Sequence, residues 1–137
     1  MAEQVIYADA SALVKLVVRE RESAALAASV PAGARLATSG VSTVEVTRAV
    51  RIAGLEEDLE QDLLADLLGG CVVLDVDSDV LRSAAALASD TLRPLDAIHL
   101  ATALAIAPEI MFVYDRQLGR AAREFGIRVQ APGAAPP

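Results

Sequence analysis

The sequence predicts an α/β fold in which a parallel sheet of about five strands is flanked by helices. Three observations carry this. Short apolar segments rich in β-branched residues alternate with longer ones at helical spacing, the pattern of consecutive βαβ units. Apolar residues make up 54% of the chain and aromatics only 3%, so the core must be packed from Ala, Val, Leu and Ile, which suits strands covered on both faces. Turn residues punctuate the alternation: Pro31 and Gly33, then Gly54, then Gly69 with Gly70, and finally Gly126.

In chain order, the run from Val5 to Ala8 is the first strand. Helical spacing follows from Ser11 to Glu20 and from Glu22 to Ser29, where Pro31 and Gly33 clear the way for a strand from Arg35 to Thr38. A helix from Ser42 to Ala53 stops at Gly54, and another from Glu56 to Leu68 stops at the glycine pair. Cys71 to Leu74 is the third strand, and the helix from Ser78 to Ser89 is capped by Asp77 or Ser78. Pro94 opens the helix to Ala105, as a proline at the first helical position does. The strand from Ile110 to Tyr114, the helix from Gln117 to Phe125 and, after Gly126, the strand from Ile127 to Gln130 complete the set. With 137 residues the chain is expected to form one domain, residues 1–130, followed by a disordered tail, 131–137, of Ala, Pro and Gly.

Composition narrows the function. The start, Met1-Ala-Glu-Gln, lacks the basic segment and long apolar run of a signal peptide, and nowhere do 18 apolar residues run uninterrupted, so no membrane span is expected. The lone Cys71 lies in an apolar run and is expected to be a buried, inert thiol, which fits a cytoplasmic location. A net charge of -7 argues against a broad basic surface for nucleic acid, so cations must mediate any encounter with RNA.

The acids carry the chemistry. In open parallel sheets ligands bind beyond the carboxyl ends of the strands, and two strands run directly into an acid there: Ala8 into Asp9 and Tyr114 into Asp115. Either Asp could instead cap the following helix. Glu45 closes a capping box with Ser42, unless the helix starts near Ser39, in which case its side chain lies well inside the helix. Asp96 sits in the first turn of the Pro94 helix, where it complements the dipole, yet that helix is so apolar that a partly buried acid there needs a counter-ion or a metal. His99, one turn on, reads as a satisfied core residue, and no second histidine exists to complete a zinc site. Asp75, Asp77 and Asp79 mimic half a calcium loop, but Val80 and Ala86 occupy the positions that need Gly and Glu. Phosphate loops, serine elbows and paired cysteines are all missing.

Four segments taken together resemble the VapC-type toxins of the PIN-domain nuclease family: Ile6-Tyr-Ala-Asp-Ala-Ser-Ala-Leu-Val-Lys-Leu16, Thr43-Val-Glu-Val-Thr-Arg48, Pro94-Leu-Asp-Ala-Ile-His-Leu-Ala-Thr-Ala103 and Phe112-Val-Tyr-Asp-Arg-Gln-Leu118. They fall in the family's order and span nearly the whole chain. The resemblance implies a sheet of strand order 3-2-1-4-5, which brings Asp9 and Asp115 to the switch point and leaves Asp75 at the far edge. It places the family's four acids on Asp9, Glu45, Asp96 and Asp115, and its small polar residue on Ser11. Family members often carry Thr or Ser two places before the last acid, whereas this chain has Val113.

What the resemblance further implies is a Mg²⁺- or Mn²⁺-dependent endoribonuclease, the toxin of a toxin-antitoxin pair, with RNA as substrate, an antitoxin protein as partner and a homodimeric state. Oxygen-only ligands suit those ions, and clustered carboxylates need a cation to ionise together. Asp9, Asp96 and Asp115 are then the metal ligands, with Glu45 positioning or deprotonating the attacking water. Two rivals stand beside this: a catalytically silent binding module of the same fold, and a phosphatase-like hydrolase with Asp9 as nucleophile, against which Ser11 breaks the usual Asp-x-Asp pair.

Overall fold

A computed structural model of the chain describes residues 4–135. Among the described residues the elements run β1 (Val5–Ala8), α1 (Ala10–Val17), α2 (Ser23–Ser29), β2 (Arg35–Ser39), α3 (Val41–Ile52), α4 (Glu57–Gly69), β3 (Val72–Leu74), α5 (Ser78–Ala86), α6 (Pro94–Ile106), β4 (Ile110–Phe112), α7 (Arg116–Glu124) and β5 (Val129–Gln130). The strands form one sheet in the order β3-β2-β1-β4-β5, with every neighbouring pair parallel. The chain builds outward from β1 through β2 to β3, then returns to lay β4 on the other side of β1. That reversal opens a crevice at the carboxyl ends of β1 and β4.

The period of two along the strands divides the core. Ile6, Ala8 and Phe112 face one layer, where they pack with Leu13, Leu26, Val46 and Val50. Tyr7, Met111 and Val113 face the other, with Leu100, Leu118 and Ala122. Each large apolar side chain so buried contributes about 1.5–3 kcal/mol relative to exposure. The register sets Ala8 beside Phe112, and the Asp9 amide donates to the Phe112 carbonyl at 3.2 Å, so the first residues past the two strands emerge side by side.

Several boundaries differ from those the sequence predicts. α1 stops at Val17, short of Glu20: Val18 is extended (φ -104°, ψ 123°), and the Lys15 ammonium turns back to pair with Glu22 at 2.9 Å and Glu20 at 3.4 Å. α5 stops at Ala86 because Leu87 is extended, and the β4 ladder is regular only to Phe112, although the Val113 amide still donates to the Gln130 carbonyl. Cys71 is half-buried, not buried; partial burial still pushes its thiol up, which keeps it protonated. Of the tail predicted to be disordered, residues 136 and 137 lie outside the described residues. Ala131 to Ala134 form a turn, and the Tyr114 hydroxyl donates to the Pro132 carbonyl at 2.7 Å.

Candidate active site

Asp9 is set by the end of β1 and the start of α1. Its Oδ1 accepts the Ala12 amide at 3.1 Å and the Ser11 hydroxyl at 2.6 Å, so it does cap α1. Capping is only half of its environment. The residue is 4% exposed, and burial pushes its carboxyl up to about 6, against the pull of the Ser11 hydrogen bond and the nearby His99 ring. The Ser11 hydroxyl also accepts the Tyr114 amide at 3.0 Å, which ties the acid after β1 to the strand that ends beside it.

Asp115 repeats the pattern: its Oδ1 caps α7 through the Leu118 amide at 2.9 Å, while the side chain remains exposed. Asp77 caps α5 in the same manner, at the far edge beyond β3. Capping is thus common to all three; they differ in place, since Asp9 and Asp115 follow neighbouring strands at the centre of the sheet and Asp77 follows the edge strand.

Glu45 departs from the capping-box expectation. α3 begins at Val41 with Gly40 as its cap, because Ser42 is drawn inward to the Thr38 hydroxyl at 2.7 Å. Glu45 thus lies one turn inside the helix and meets α6, where its Oε1 is 2.7 Å from Nε2 of His99. His99 is 1% exposed, and its Nδ1 lies 2.6 Å from the Tyr7 hydroxyl. A carboxylate only accepts, so in the neutral ring Nε2 carries the proton and Nδ1 accepts from the phenol. Burial and the Asp9 charge raise the Tyr7 phenol, which therefore keeps its proton to donate. His99 is indeed a satisfied core residue, but one of its partners is Glu45, a candidate site acid. Sequence separations of 54 and 92 residues leave no local signal for this Tyr7–His99–Glu45 chain.

Asp96, the third residue of α6, is half-buried. Burial raises its carboxyl, the charges of Asp115 and Glu45 raise it further, and His99 and Arg93 oppose them. Asp9 in turn feels Glu45 and His99. The four acids thus share one electrostatic neighbourhood. They are not drawn into contact: among the described residues no three His, Cys, Asp or Glu side chains stand ready as a coordination shell. Nor does Lys or Arg pair with any of the four among the described residues. An uncompensated buried carboxylate with hard oxygen neighbours fits a divalent cation, since the cation removes both the repulsion and the desolvation cost. Val113, at the position where the resembled family often carries a hydroxyl, is 2% exposed and belongs to the apolar layer with Leu118. The hydroxyl serving this corner comes from Ser11.

Comparison with known proteins identifies the family and the fold. A family model described as PIN domain matches residues 6–124. The chain is 38% identical to Ribonuclease VapC35 of Mycobacterium tuberculosis over 136 residues, covering 95% of this chain and 98% of that protein. Among solved structures, VapC20 of Mycobacterium tuberculosis, a Sarcin-Ricin loop cleaving toxin, superposes with a TM-score of 0.68 at 17% identity, over 85% of this chain and 94% of that one. A toxin-antitoxin complex from Klebsiella pneumoniae gives a TM-score of 0.61 at 22% identity, over 79% and 84% of the two chains.

Proposed function

The chain belongs to the PIN-domain family, among its VapC ribonucleases, and on that premise we propose that it is a Mg²⁺- or Mn²⁺-dependent endoribonuclease acting as the toxin of a toxin-antitoxin pair. The observation that carries the metal requirement is Asp9, a carboxylate 4% exposed with neutral hydrogen-bond donors and, among the described residues, no Lys or Arg paired with it. In this reading Asp9, Asp96 and Asp115 hold the ion. When bound, a divalent ion neutralises charge developing on a phosphodiester and makes water more acidic. The protein's own residues do the rest. Ser11 fixes the Asp9 carboxylate, so that Oδ1 is committed and Oδ2 is left for the ion. His99 holds Oε1 of Glu45, which leaves Oε2 to orient the attacking water and accept its proton.

The protein partner is proposed to be an antitoxin, as in the Klebsiella complex. Val44, Ile52, Leu81 and Leu95, exposed by 61%, 81%, 49% and 47%, supply apolar surface for it or for a second copy in a homodimer. No helix among the described residues is long and apolar enough to cross a membrane, and we place the protein in the cytoplasm.

The test is incubation of purified protein with total RNA, with and without Mg²⁺ or Mn²⁺, beside Asp9→Asn, Asp96→Asn and Asp115→Asn. Cleavage should require the cation and fall at least about a hundredfold in each variant, the scale of losing a main electrostatic contact. Undiminished cleavage in excess chelator refutes the metal requirement, and an ordered protein that binds no cation points to a silent binding module.

A further inference from the structure

We propose that the exposed face of α7 is the track along which a single-stranded RNA substrate reaches Asp115; this rests on the nuclease reading above. The helix is divided lengthwise. Leu118, Gly119, Ala121 and Ala122 are buried, whereas Arg116, Arg120 and Arg123 are exposed. These three stand four and three residues apart, so they form one stripe about 10 Å long. Among the described residues none of them pairs with an acid. That is unexpected in a chain where 19 acidic residues face 12 basic ones.

The stripe lines a cleft of about 620 Å³ that also takes in Arg21, Tyr114 and Asp115. Five of the chain's 12 basic residues line this cleft, against three acidic ones, so the local charge is opposite in sign to the net charge of -7. Lys15, one of the five, is already spent on Glu20 and Glu22, but the four guanidinium groups are not.

The charge balance selects the occupant. A phosphodiester approaching four carboxylates on an acidic protein is repelled, so the attraction that brings it in must come from a neighbouring surface. Guanidinium forks suit phosphate oxygens. A stripe about 10 Å long spans roughly three phosphates at the ~3.4 Å rise of a stacked strand. Asp115, the acid that caps the same helix, lies at the start of the stripe, so a strand laid along α7 leads into the acidic crevice.

The experiment measures binding of a short, unstructured, fluorescently labelled RNA to the cleavage-impaired Asp9→Asn protein in chelator, between about 50 and 200 mM salt. The same protein carrying Arg116→Gln, Arg120→Gln and Arg123→Gln is the comparison, and its circular dichroism melt checks folding. The slope of log K against log salt should fall by about 2, from about 0.7 per lost phosphate contact, with lysines at all three positions restoring it. An unchanged slope, or no RNA binding by the parent, overturns the track. An unchanged slope together with lost binding to a poly-glutamate peptide overturns it in favour of an acidic protein segment. Cleavage by the wild type is scored separately with Mg²⁺. Cleavage without a slope change rejects the track alone, whereas stripe-dependent binding without cleavage keeps the track and rejects the nuclease.

Discussion

Replacing Asp9 by Asn should stabilise the metal-free protein at neutral pH and leave it unchanged in mild acid. The carboxyl is raised from its ordinary value of 3.8 to about 6, chiefly by burial. Between those values the folded state holds a proton that the unfolded state releases, so stability falls as pH rises through that window and stays low above it. A shift of about two units corresponds to about 3 kcal/mol. That shift is already net of the bonds from Ser11 and Ala12, which Asn keeps much as the protonated acid does; with relaxation around the charge, the gain is about 1–2 kcal/mol. For a chain of this size that raises Tm by about 4–7 °C. The assay is a set of thermal melts of wild type and Asp9→Asn from about pH 4 to 8, in chelator and in millimolar Mg²⁺ or Mn²⁺. The variant's advantage should appear only above about pH 5 in chelator. Cation at about a hundred times its Kd should restore the wild type by about 2.7 kcal/mol and leave the variant unmoved. A variant less stable than wild type at every pH, or one that keeps the full cation response, refutes the shared pocket and leaves Asp9 a plain helix cap.

Three further outcomes follow from individual contacts. Ser11→Ala should drive the Asp9 carboxyl above its value of about 6 and cost about 1–3 kcal/mol, because the Tyr114 amide loses its acceptor; a carboxyl carbon titration by NMR showing no rise contradicts this. Tyr7→Phe strips the donor from buried His99 Nδ1, and should slow RNA cleavage by about 10- to 100-fold through Glu45, as loss of a supporting contact does, so wild-type rates would disprove the relay. Ala107 ends α6 with φ 48° and ψ 62°, where an L side chain is strained, and Ala107→Gly should raise Tm by a few degrees, about 0.5–1 kcal/mol; a lower Tm would contradict the strain.

The alternation of apolar segments was enough to place every strand and helix in order, because both periodicities are local. The sheet order was not local information: it came with the motifs around Asp9, Glu45, Asp96 and Asp115. Glu45 was harder, since Ser42-Thr-Val-Glu45 spells a capping box, and only the packing of Ser42 against Thr38 shows why the helix starts earlier. Tyr7 and His99 were not legible as partners at all, because the contact joins the far face of β1 to α6. The arginines of α7 were visible as residues, but a whole-chain charge of -7 averages away a cleft in which the sign reverses.

The bond from the Tyr114 amide to Ser11 spans 103 positions and lies at the junction of β1 with β4. Everything N-terminal to β4 can be synthesised with one side of β1 still open, and such a chain lacks Asp115 and the amide that orients Ser11. The acidic crevice is therefore a late product of translation, closed by the last quarter of the polypeptide against its first strand. A chain that ends before β4 lacks both Asp115 and the bond from Tyr114 to Ser11, so Asp9 and Asp115 meet only once the sheet is complete.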